Sequence, residues 1–316
     1  MPTPTPIMDW QNDVRGFWFS PKLSRDVRVV SQPRMRFRQL CRPEPAFGPH
    51  MGDTYKFTKI SNLANGGQMI GEFDDVPVDS LSISYDELTV NEYTNSLEYT
   101  WYSSMFSELS VEHAWIMSLM NDAVKTLDRA SAAAFRAADL VYTPTGTTSS
   151  KSFTLSTTGT AGAAATRNIA AWDIKNIVDR MRSTYNMPAY TGDDYLCIAT
   201  STFLRGLKDD SEWIEAAKYG DPDRLFSGEV GRYYGVRFIE ENNVLNGNLA
   251  GGLGEAVFIA YDPVIELEVY PLEIQAKIAE SYGRFRGLRW VNIVGWRKTW
   301  DFADEGEARL LRVYST

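Results

Sequence analysis

The sequence predicts an α+β protein of about two domains, in which a compact block of strands and helices is inserted between a long helix and long C-terminal strands. Three observations favour this class. The chain has 316 residues, and ~150 residues is a common domain length. Apolar residues recur with helical spacing over residues 110–138. Strand-like alternation of apolar and polar residues occurs on both sides of that segment.

Composition excludes several classes of protein. Apolar residues make up 44% of the chain and charged residues 23%, which suits an ordinary folded core. No apolar run approaches the ~20 residues that cross a bilayer, and the N-terminus lacks the pattern of a secretory signal. Two cysteines, Cys41 and Cys197, are too few for a disulfide framework and favour a reducing cytoplasm. Two histidines, His50 and His113, exclude a histidine-rich metal site.

Charge is distributed unevenly along the chain. The net charge is −9, yet residues 1–45 contain eight basic and four acidic residues and carry +4, so the remainder carries −13. Aromatic residues are interleaved with these arginines, whereas a segment that stays in water has little use for them. We therefore expect a basic N-terminal arm that contacts neighbouring copies, nucleic acid or an acidic partner, the alternative being a solvated terminus. The arm residues expected at a subunit interface are Arg15, Trp18, Arg25, Arg28, Arg34, Arg36 and Arg38.

A long two-stranded excursion is predicted over residues 52–93. Tyr55 and Phe57 alternate with polar neighbours, residues 65–67 form an Asn-Gly-Gly turn signal, and apolar residues alternate again over 76–85. An isolated hairpin is marginal in water, so a neighbouring copy would supply the surface on which it lies. The alternative is two ordinary strands of an internal sheet. The residues expected at this contact are Tyr55, Phe57, Lys59, Asn65, Gly66, Phe73, Asp74 and Asp75.

The strongest helix signal extends from about Ser110 to Ala138. Ser110 is a suitable N-cap, and a helix of this length spans roughly 40 Å at ~1.5 Å per residue. It would form the backbone of a flat or elongated body. Its apolar stripe consists of Val111, Trp115, Leu119, Ala123 and Leu127.

Shorter elements follow the long helix. Residues 143–166 are rich in Thr, Ser, Gly and Ala and predict a surface loop or short hairpin. An amphipathic helix is expected from about Ala171 until Asn186, and Thr200 can cap another helix that ends near Leu207. A further helix is expected at 212–218, and strands are expected at 195–199, 236–239, 256–260, 265–270 and 288–300.

No motif for catalysis is present. The sequence lacks a phosphate-binding loop, a nucleophile elbow and a zinc-binding helix. Acidic pairs occur at 74–75, 193–194 and 209–210, and a glycosidase needs two carboxylates ~5–10 Å apart in a cleft. These pairs lie in predicted turns, where solvated acids and helix caps are usual. We predict no catalytic residue, no cofactor and no metal site; a hydrolase would instead require the acids at 193, 194 or 210 to line a deep pocket.

The most specific pattern in the chain lies within residues 185–244. A strand, a helix and an acidic turn over 194–210 precede the segment Gly228-Glu-Val-Gly-Arg-Tyr-Tyr-Gly-Val-Arg-Phe238, whose glycines permit tight turns before a strand. This order resembles that of the major capsid proteins of tailed bacteriophages, which have the Hong Kong 97-type fold. In this family the segment is a turn of the axial domain, which implies a role there for Gly228, Glu229, Gly231 and Gly235.

The resemblance implies a division of the chain. Residues 1–45 would be the N-terminal arm, 46–105 the extended loop, 106–170 the peripheral domain with its spine helix, 171–261 the axial domain, and 262–316 the strands that return to the peripheral domain. It also implies a structural protein without enzymatic activity. Such a protein self-assembles through hexamers and pentamers into an icosahedral shell.

The resemblance also implies partners and a location. The shell would enclose double-stranded DNA without reading its sequence or contacting a membrane, as part of a virion assembled in the cytoplasm of a bacterial host. Scaffolding, portal, and cement or decoration proteins are further candidate partners. The alternative is a cellular nanocompartment shell of the same fold that encloses an enzyme.

Covalent cross-linking between subunits is not expected. Some members of this family join neighbours through a Lys–Asn isopeptide bond that uses a lysine of the extended loop. Lys56 and Lys59 lie in the ascending strand and not at the tip, and no matching Asn and Glu can be placed. We therefore expect noncovalent stabilisation.

Overall fold

A computed structural model describes residues 36–44, 52–63, 67–106, 111–212, 231–241, 244–245, 254–278, 281–302 and 306–315. Most of the helix expected at 212–218 lies outside these ranges. So do the expected interface residues Arg15, Trp18, Arg25, Arg28, Arg34, Asn65, Gly66, Gly228 and Glu229.

The strands are numbered along the chain. They are β1 (Arg42–Pro43), β2 (Thr54–Ile60), β3 (Ile83–Thr89), β4 (Asn91–Thr100), β5 (Leu140–Gly146), β6 (Lys151–Ser156), β7 (Tyr195–Ala199), β8 (Arg232–Tyr233), β9 (Val236–Glu240), β10 (Gly254–Ile259), β11 (Val264–Ala276), β12 (Phe285–Lys298) and β13 (Leu310–Ser315). The helices are α1 (Trp101–Phe106), α2 (Val111–Arg136), α3 (Ala171–Asp179) and α4 (Ser201–Lys208), with short helical turns at Arg38–Leu40, Arg180–Thr184 and Ser281–Gly283.

A four-stranded sheet supports the long helix α2. Its strand order is β1–β11–β12–β4, and the three long strands are antiparallel. The buried stripe of α2 packs on this sheet, where Leu119 and Ala123 meet Trp290. The rings of Tyr99 and Trp115 also meet edge to face with centroids 4.4 Å apart. The spacing in the sequence predicted this helix to within two residues of its C-terminal end.

The larger sheet has seven strands in the order β6–β5–β13–β10–β7–β9–β8. Its central strands β7 and β10 are buried along their whole length. Strands were predicted at 195–199 and 256–260, and the second of them begins two residues earlier than expected. Helices α3 and α4 contribute Ile174, Ile177 and Phe203 to the core on one face. Thr200 caps α4 as expected, because its hydroxyl accepts a hydrogen bond from the Phe203 N–H at 3.3 Å.

The sheets group the chain differently from the division implied by the resemblance. Strands β5 and β6 fall within 106–170 and β13 within 262–316, yet all three belong to the seven-stranded sheet with strands of 171–261. β13 is antiparallel to β10 and parallel to β5. The local apolar pattern of a strand is compatible with either sheet. Pairing with β10 and β5, and not proximity in sequence, places β13 in the seven-stranded sheet.

β2 and β3 form a separate antiparallel ribbon. The Ser61 N–H donates to the Ser82 carbonyl at 3.2 Å and closes the paired region, so β3 begins at Ile83 although alternation predicted a strand from Val76. At its root, Leu88 is buried with Ile265 and Leu267 of the four-stranded sheet. The ribbon therefore starts on the body of its own chain, and where its paired region ends the Ser61 hydroxyl still donates to the Glu307 carboxylate at 2.7 Å.

Candidate subunit-interface site

The ribbon tip, defined as the described residues of 60–85, exposes large apolar side chains. Phe73 is 94% exposed and Val78 is 96% exposed. Monomeric soluble proteins rarely expose large contiguous apolar patches, which usually mark a contact with another molecule. The exposed large apolar residues of this tip are Ile60, Leu63, Met69, Ile70, Phe73, Val76, Val78, Leu81, Ile83 and Tyr85. The ribbon tip therefore resembles one side of an interface whose partner surface is absent from the single chain.

The residues predicted at the ribbon contact fall into two groups. Phe73, Asp74 and Asp75 are exposed on the tip, where the Asp74 carboxylate accepts a hydrogen bond from the Gly71 N–H at 3.1 Å and shapes a turn. The second group, Tyr55, Phe57 and Lys59, lies at the root.

At the root, the rings of Tyr55 and Phe57 stack with centroids 6.5 Å apart and pack against Leu88. Lys59 is only 8% exposed. These three residues therefore contact their own chain, and their contact with a neighbour stays a prediction. The other lysine of the ascending strand, Lys56, pairs with Glu87 at 2.7 Å.

A carboxylate between two cations joins the ribbon root to strand β12 of the four-stranded sheet. Asp86 accepts hydrogen bonds from Lys59 at 3.2 Å, from Arg297 at 2.8 Å and from the Glu87 N–H at 2.8 Å. Burial opposes ionisation of Asp86, but these hydrogen bonds outweigh it and lower the pKa of its carboxyl. Sequence reasoning missed this site, because Arg297 follows Asp86 by 211 residues and no local signal joins them.

Replacing Asp86 by asparagine should loosen the ribbon root. The change leaves Lys59 buried beside a neutral amide, and an unsatisfied buried group costs ~1–3 kcal/mol. We expect the amides of β2 and β3 to exchange hydrogen about tenfold faster, since ~1.4 kcal/mol is a factor of ten. Hydrogen exchange with peptide mass spectrometry measures this change. Glu72→Gln on the exposed tip is the control, and equal exchange in the two variants would remove Asp86 from this role.

The melting temperatures of the native chain and of Asp86→Asn should depend differently on pH. Because the folded chain lowers the pKa of Asp86, its contribution is fully present above the unfolded value of ~3.9 and is lost as pH falls through the lower folded value. The difference in melting temperature between the native chain and Asp86→Asn should therefore disappear at strongly acidic pH. A difference that persists there would contradict the assignment.

The described end of the N-terminal arm is built into the body. One carboxylate oxygen of Asp128 accepts hydrogen bonds from three successive backbone N–H groups, those of Arg36 at 3.1 Å, Phe37 at 3.0 Å and Arg38 at 3.4 Å. Phe37 is fully buried, and its ring centroid lies 5.4 Å from that of Phe135. Burial raises the pKa of Asp128, although the three N–H donors oppose that shift.

Arg38 pairs within its own chain. Its guanidinium lies 2.7 Å from Glu266 and 3.0 Å from Glu268, and β1 follows in parallel pairing with β11. Residues 36–44 therefore belong to the body. A free arm would have to end before Arg36, whereas the predicted arm extends to residue 45. The expected contact of Arg36 and Arg38 with a neighbour stays a prediction.

The described part of the turn predicted for the axial domain has the backbone that its glycines allow. Gly231 and Gly235 have φ of 57° and 75°, in the region that other residues rarely adopt. A Cβ atom on Gly235 would lie 2.7 Å from the Arg182 guanidinium. Both flanks of the turn are held by Asp194, which accepts hydrogen bonds from Arg232 and Arg237, each at 2.9 Å.

Two of the three acids considered for a hydrolase, Asp194 and Asp210, pair with arginines or hold the backbone. A cavity of about 820 Å³ adjoins the turn and is lined in part by Asp193, Tyr195 and Arg232. The neighbouring carboxylate, Asp194, is buried and held by its two arginines. Asp210 accepts the Ala171 N–H at 3.1 Å at the start of α3. This arrangement offers no free carboxylate pair among the described residues of the cavity.

The described parts of the chain contain no group of three or more His, Cys, Asp or Glu side chains that could hold a metal ion. No helix among them is long and apolar enough to cross a membrane.

No protein-family model matches the sequence, and no curated protein matches it either. Solved structures are similar to it along nearly its whole length. An acid-stable capsid structure of Helicobacter pylori bacteriophage KHP30 has 13% identity and a TM-score of 0.69, with 100% of both chains covered. The capsid asymmetric unit of cyanophage Pam1 has 14% identity and a TM-score of 0.69, with 100% of this chain and 99% of that chain covered.

The capsid of Ralstonia phage GP4 is also similar, with 16% identity, a TM-score of 0.66, and coverage of 94% of this chain and 96% of that chain. At such identities the likeness concerns the fold. The predicted fold is confirmed: the chain has the α+β, Hong Kong 97-type fold of phage capsid proteins.

Proposed function

We propose that this chain is the major capsid protein of a tailed bacteriophage and that it assembles through hexamers and pentamers into an icosahedral shell around double-stranded DNA. The exposed apolar ribbon tip is the observation that carries the proposal. In a capsid fold, the exposure of this apolar segment in the single chain is explained if a second copy of the chain covers it. The function requires no catalytic residue or cofactor.

Burial of the ribbon tip would supply much of the association energy. Fully burying one large apolar side chain contributes ~1.5–3 kcal/mol, and the tip exposes several, including Phe73, Val76 and Val78. Only part of this gain appears as affinity, because association costs translational, rotational and side-chain entropy. In a closed shell each copy both gives and receives a ribbon, so individually weak contacts suffice.

A second exposed apolar surface lies at the far end of the four-stranded sheet. The Trp101 N–H donates to the Arg284 carbonyl at 2.8 Å, which joins the start of α1 to the turn between β11 and β12. We infer that this surface also contacts other copies. Its exposed large residues are Trp101, Tyr102, Met105, Phe106, Ile278, Tyr282 and Phe285.

Charge supports the arrangement proposed for DNA and for the arm. The chain beyond residue 45 carries −13, and phosphate binding requires exposed Lys and Arg, so the body would not hold DNA to the inner wall. The arm arginines before Arg36 would pair with carboxylates of neighbouring copies, since a planar guanidinium suits two-point contact with them. Axial domains with the turn at Gly231 and Gly235 would meet around the fivefold and sixfold centres.

Negative-stain electron microscopy of the purified full-length chain tests the proposal. We expect closed particles or ring-shaped hexamers and pentamers, and particles from infected host cells should contain double-stranded DNA. A chain that stays monomeric at millimolar concentration would contradict assembly. Particles from the native source that hold an enzyme and no DNA would contradict the phage function and indicate a nanocompartment.

A further inference from the structure

One face of α2 carries apolar side chains that the described chain leaves uncovered. Met117 is 44% exposed and Met120 is 37% exposed, whereas Trp115 and Leu119 on the other side are buried against the sheet. Val124, one turn further along, is half-buried. The long helix therefore has a second apolar face in its N-terminal half.

The N-terminal segment is anchored on the same line of this helix. With 3.6 residues per turn, Met117, Val124, Asp128 and Phe135 lie within about 20° of one line along α2. The backbone N–H groups of residues 36–38 bind Asp128, and Phe37 packs against Phe135, two turns further toward the C-terminal end. The chain from residue 36 onward thus runs toward the C-terminal end of α2. A segment that continued this line in the N-terminal direction from Arg36 would pass over Val124 and Met117.

Length and sequence fit this path. Met117 and Asp128 are separated by eleven residues of helix, or ~16 Å along its axis, which an extended chain covers in about five residues. The nine residues that precede the anchor are therefore more than long enough to reach Met117, and they contain four apolar residues among polar and basic ones. They are Val27, Val29, Val30 and Met35.

We propose that residues 27–35 lie along α2 of the same chain and cover Met117, Met120 and Val124. Arg28 and Arg34 then remain at the margins of the contact, in water. This placement concerns a single chain and does not depend on shell formation. It leaves residues 1–26 as the part of the arm that can reach other copies.

Methionine oxidation in the unassembled full-length chain tests the contact. Val29→Asp combined with Val30→Asp would place two carboxylates against the apolar face and release the segment. We expect hydrogen peroxide to oxidise Met117 and Met120 severalfold faster in this variant, as measured by peptide mass spectrometry. Met69 is fully exposed on the ribbon tip and is the internal reference, with an unchanged rate.

Val14→Asp is the control for an added carboxylate in the arm outside the proposed contact. Its oxidation rates should equal those of the native chain. Equal rates at Met117 in all three proteins would overturn the proposal, as would the same acceleration in Val14→Asp. Neither result bears on shell formation, which electron microscopy measures separately.

A photo-crosslinking side chain in place of Met117 identifies the occupant directly. We expect cross-links to peptides from 27–35 within the same polypeptide, which isotopically mixed light and heavy chains distinguish from cross-links between copies. The same substitution at exposed Ala133, on another face of α2, should not produce them. Cross-links from position 117 only to another copy would overturn the assignment.

Discussion

Replacing Phe73 and Val78 together by aspartate should give a stably folded chain that no longer forms shells. Both side chains are exposed in the single chain, so the free energy of unfolding should change by less than ~0.5 kcal/mol. In the shell, each aspartate would be buried in an apolar contact without a partner, which costs several kcal/mol. Association at each contact should weaken at least tenfold, since ~1.4 kcal/mol is a factor of ten. Sedimentation velocity and thermal unfolding measure the two properties separately.

The matched control is Gln68→Asp combined with Ser80→Asp, which adds the same two negative charges to the tip at positions that are already polar and exposed. This variant should assemble like the native chain. If the double variant assembles normally, the tip is not the contact; if the control also fails, added charge alone explains the loss.

Replacing Asp173 by asparagine should lower the free energy of unfolding by about 3–5 kcal/mol, the usual cost of breaking a buried ion pair. Asp173 is fully buried at the start of α3, and its two carboxylate oxygens accept hydrogen bonds from Arg167 at 2.5 and 2.6 Å. They also accept the Tyr142 hydroxyl at 2.8 Å and the Ala170 N–H at 3.0 Å. Burial, together with the adjacent negative charge, raises the pKa of Tyr142 and keeps its hydroxyl a donor.

Asparagine has nearly the same shape as aspartate but leaves the Arg167 guanidinium buried without a counter-charge. Denaturation with urea, followed by circular dichroism, measures the loss. Asp179→Asn is the control, because Asp179 lies exposed on the same helix and its substitution should cost less than ~0.5 kcal/mol. Similar losses of unfolding free energy in both variants would show that the buried Asp173–Arg167 pair contributes no more to stability than an exposed carboxylate.

Local patterns in the sequence predicted most elements but not their grouping into sheets. Strand β7 was predicted with both ends correct, and Thr200 was recognised as the cap of α4, because burial and capping leave signals within a few residues. Local patterns did not predict β13. They predicted strand structure only as far as Tyr93, although β4 continues to Thr100. Strand pairing joins residues that are far apart in sequence, so no local pattern reveals it.

The candidate site shows the same division. Alternating apolar residues that lacked a nearby partner predicted the ribbon, and its tip is exposed. The anchors at Asp86 and Asp128 could not be predicted, because Arg297 follows Asp86 by 211 residues and the Phe37 N–H precedes Asp128 by 91 residues. Burial of Phe37 within an arginine-rich segment was also not predictable, since its partner Phe135 lies in α2. Charge and composition identify a segment as an arm, whereas tertiary contacts decide at which residue the free arm ends and the body begins.

A cryo-electron microscopy reconstruction of the assembled particle tests the central claim most directly. The proposal predicts that the ribbon tip of each copy lies on an adjacent copy, with Phe73 and Val78 buried in that contact. A reconstruction in which the tip folds back onto its own body, or projects into solvent from every copy, would contradict it.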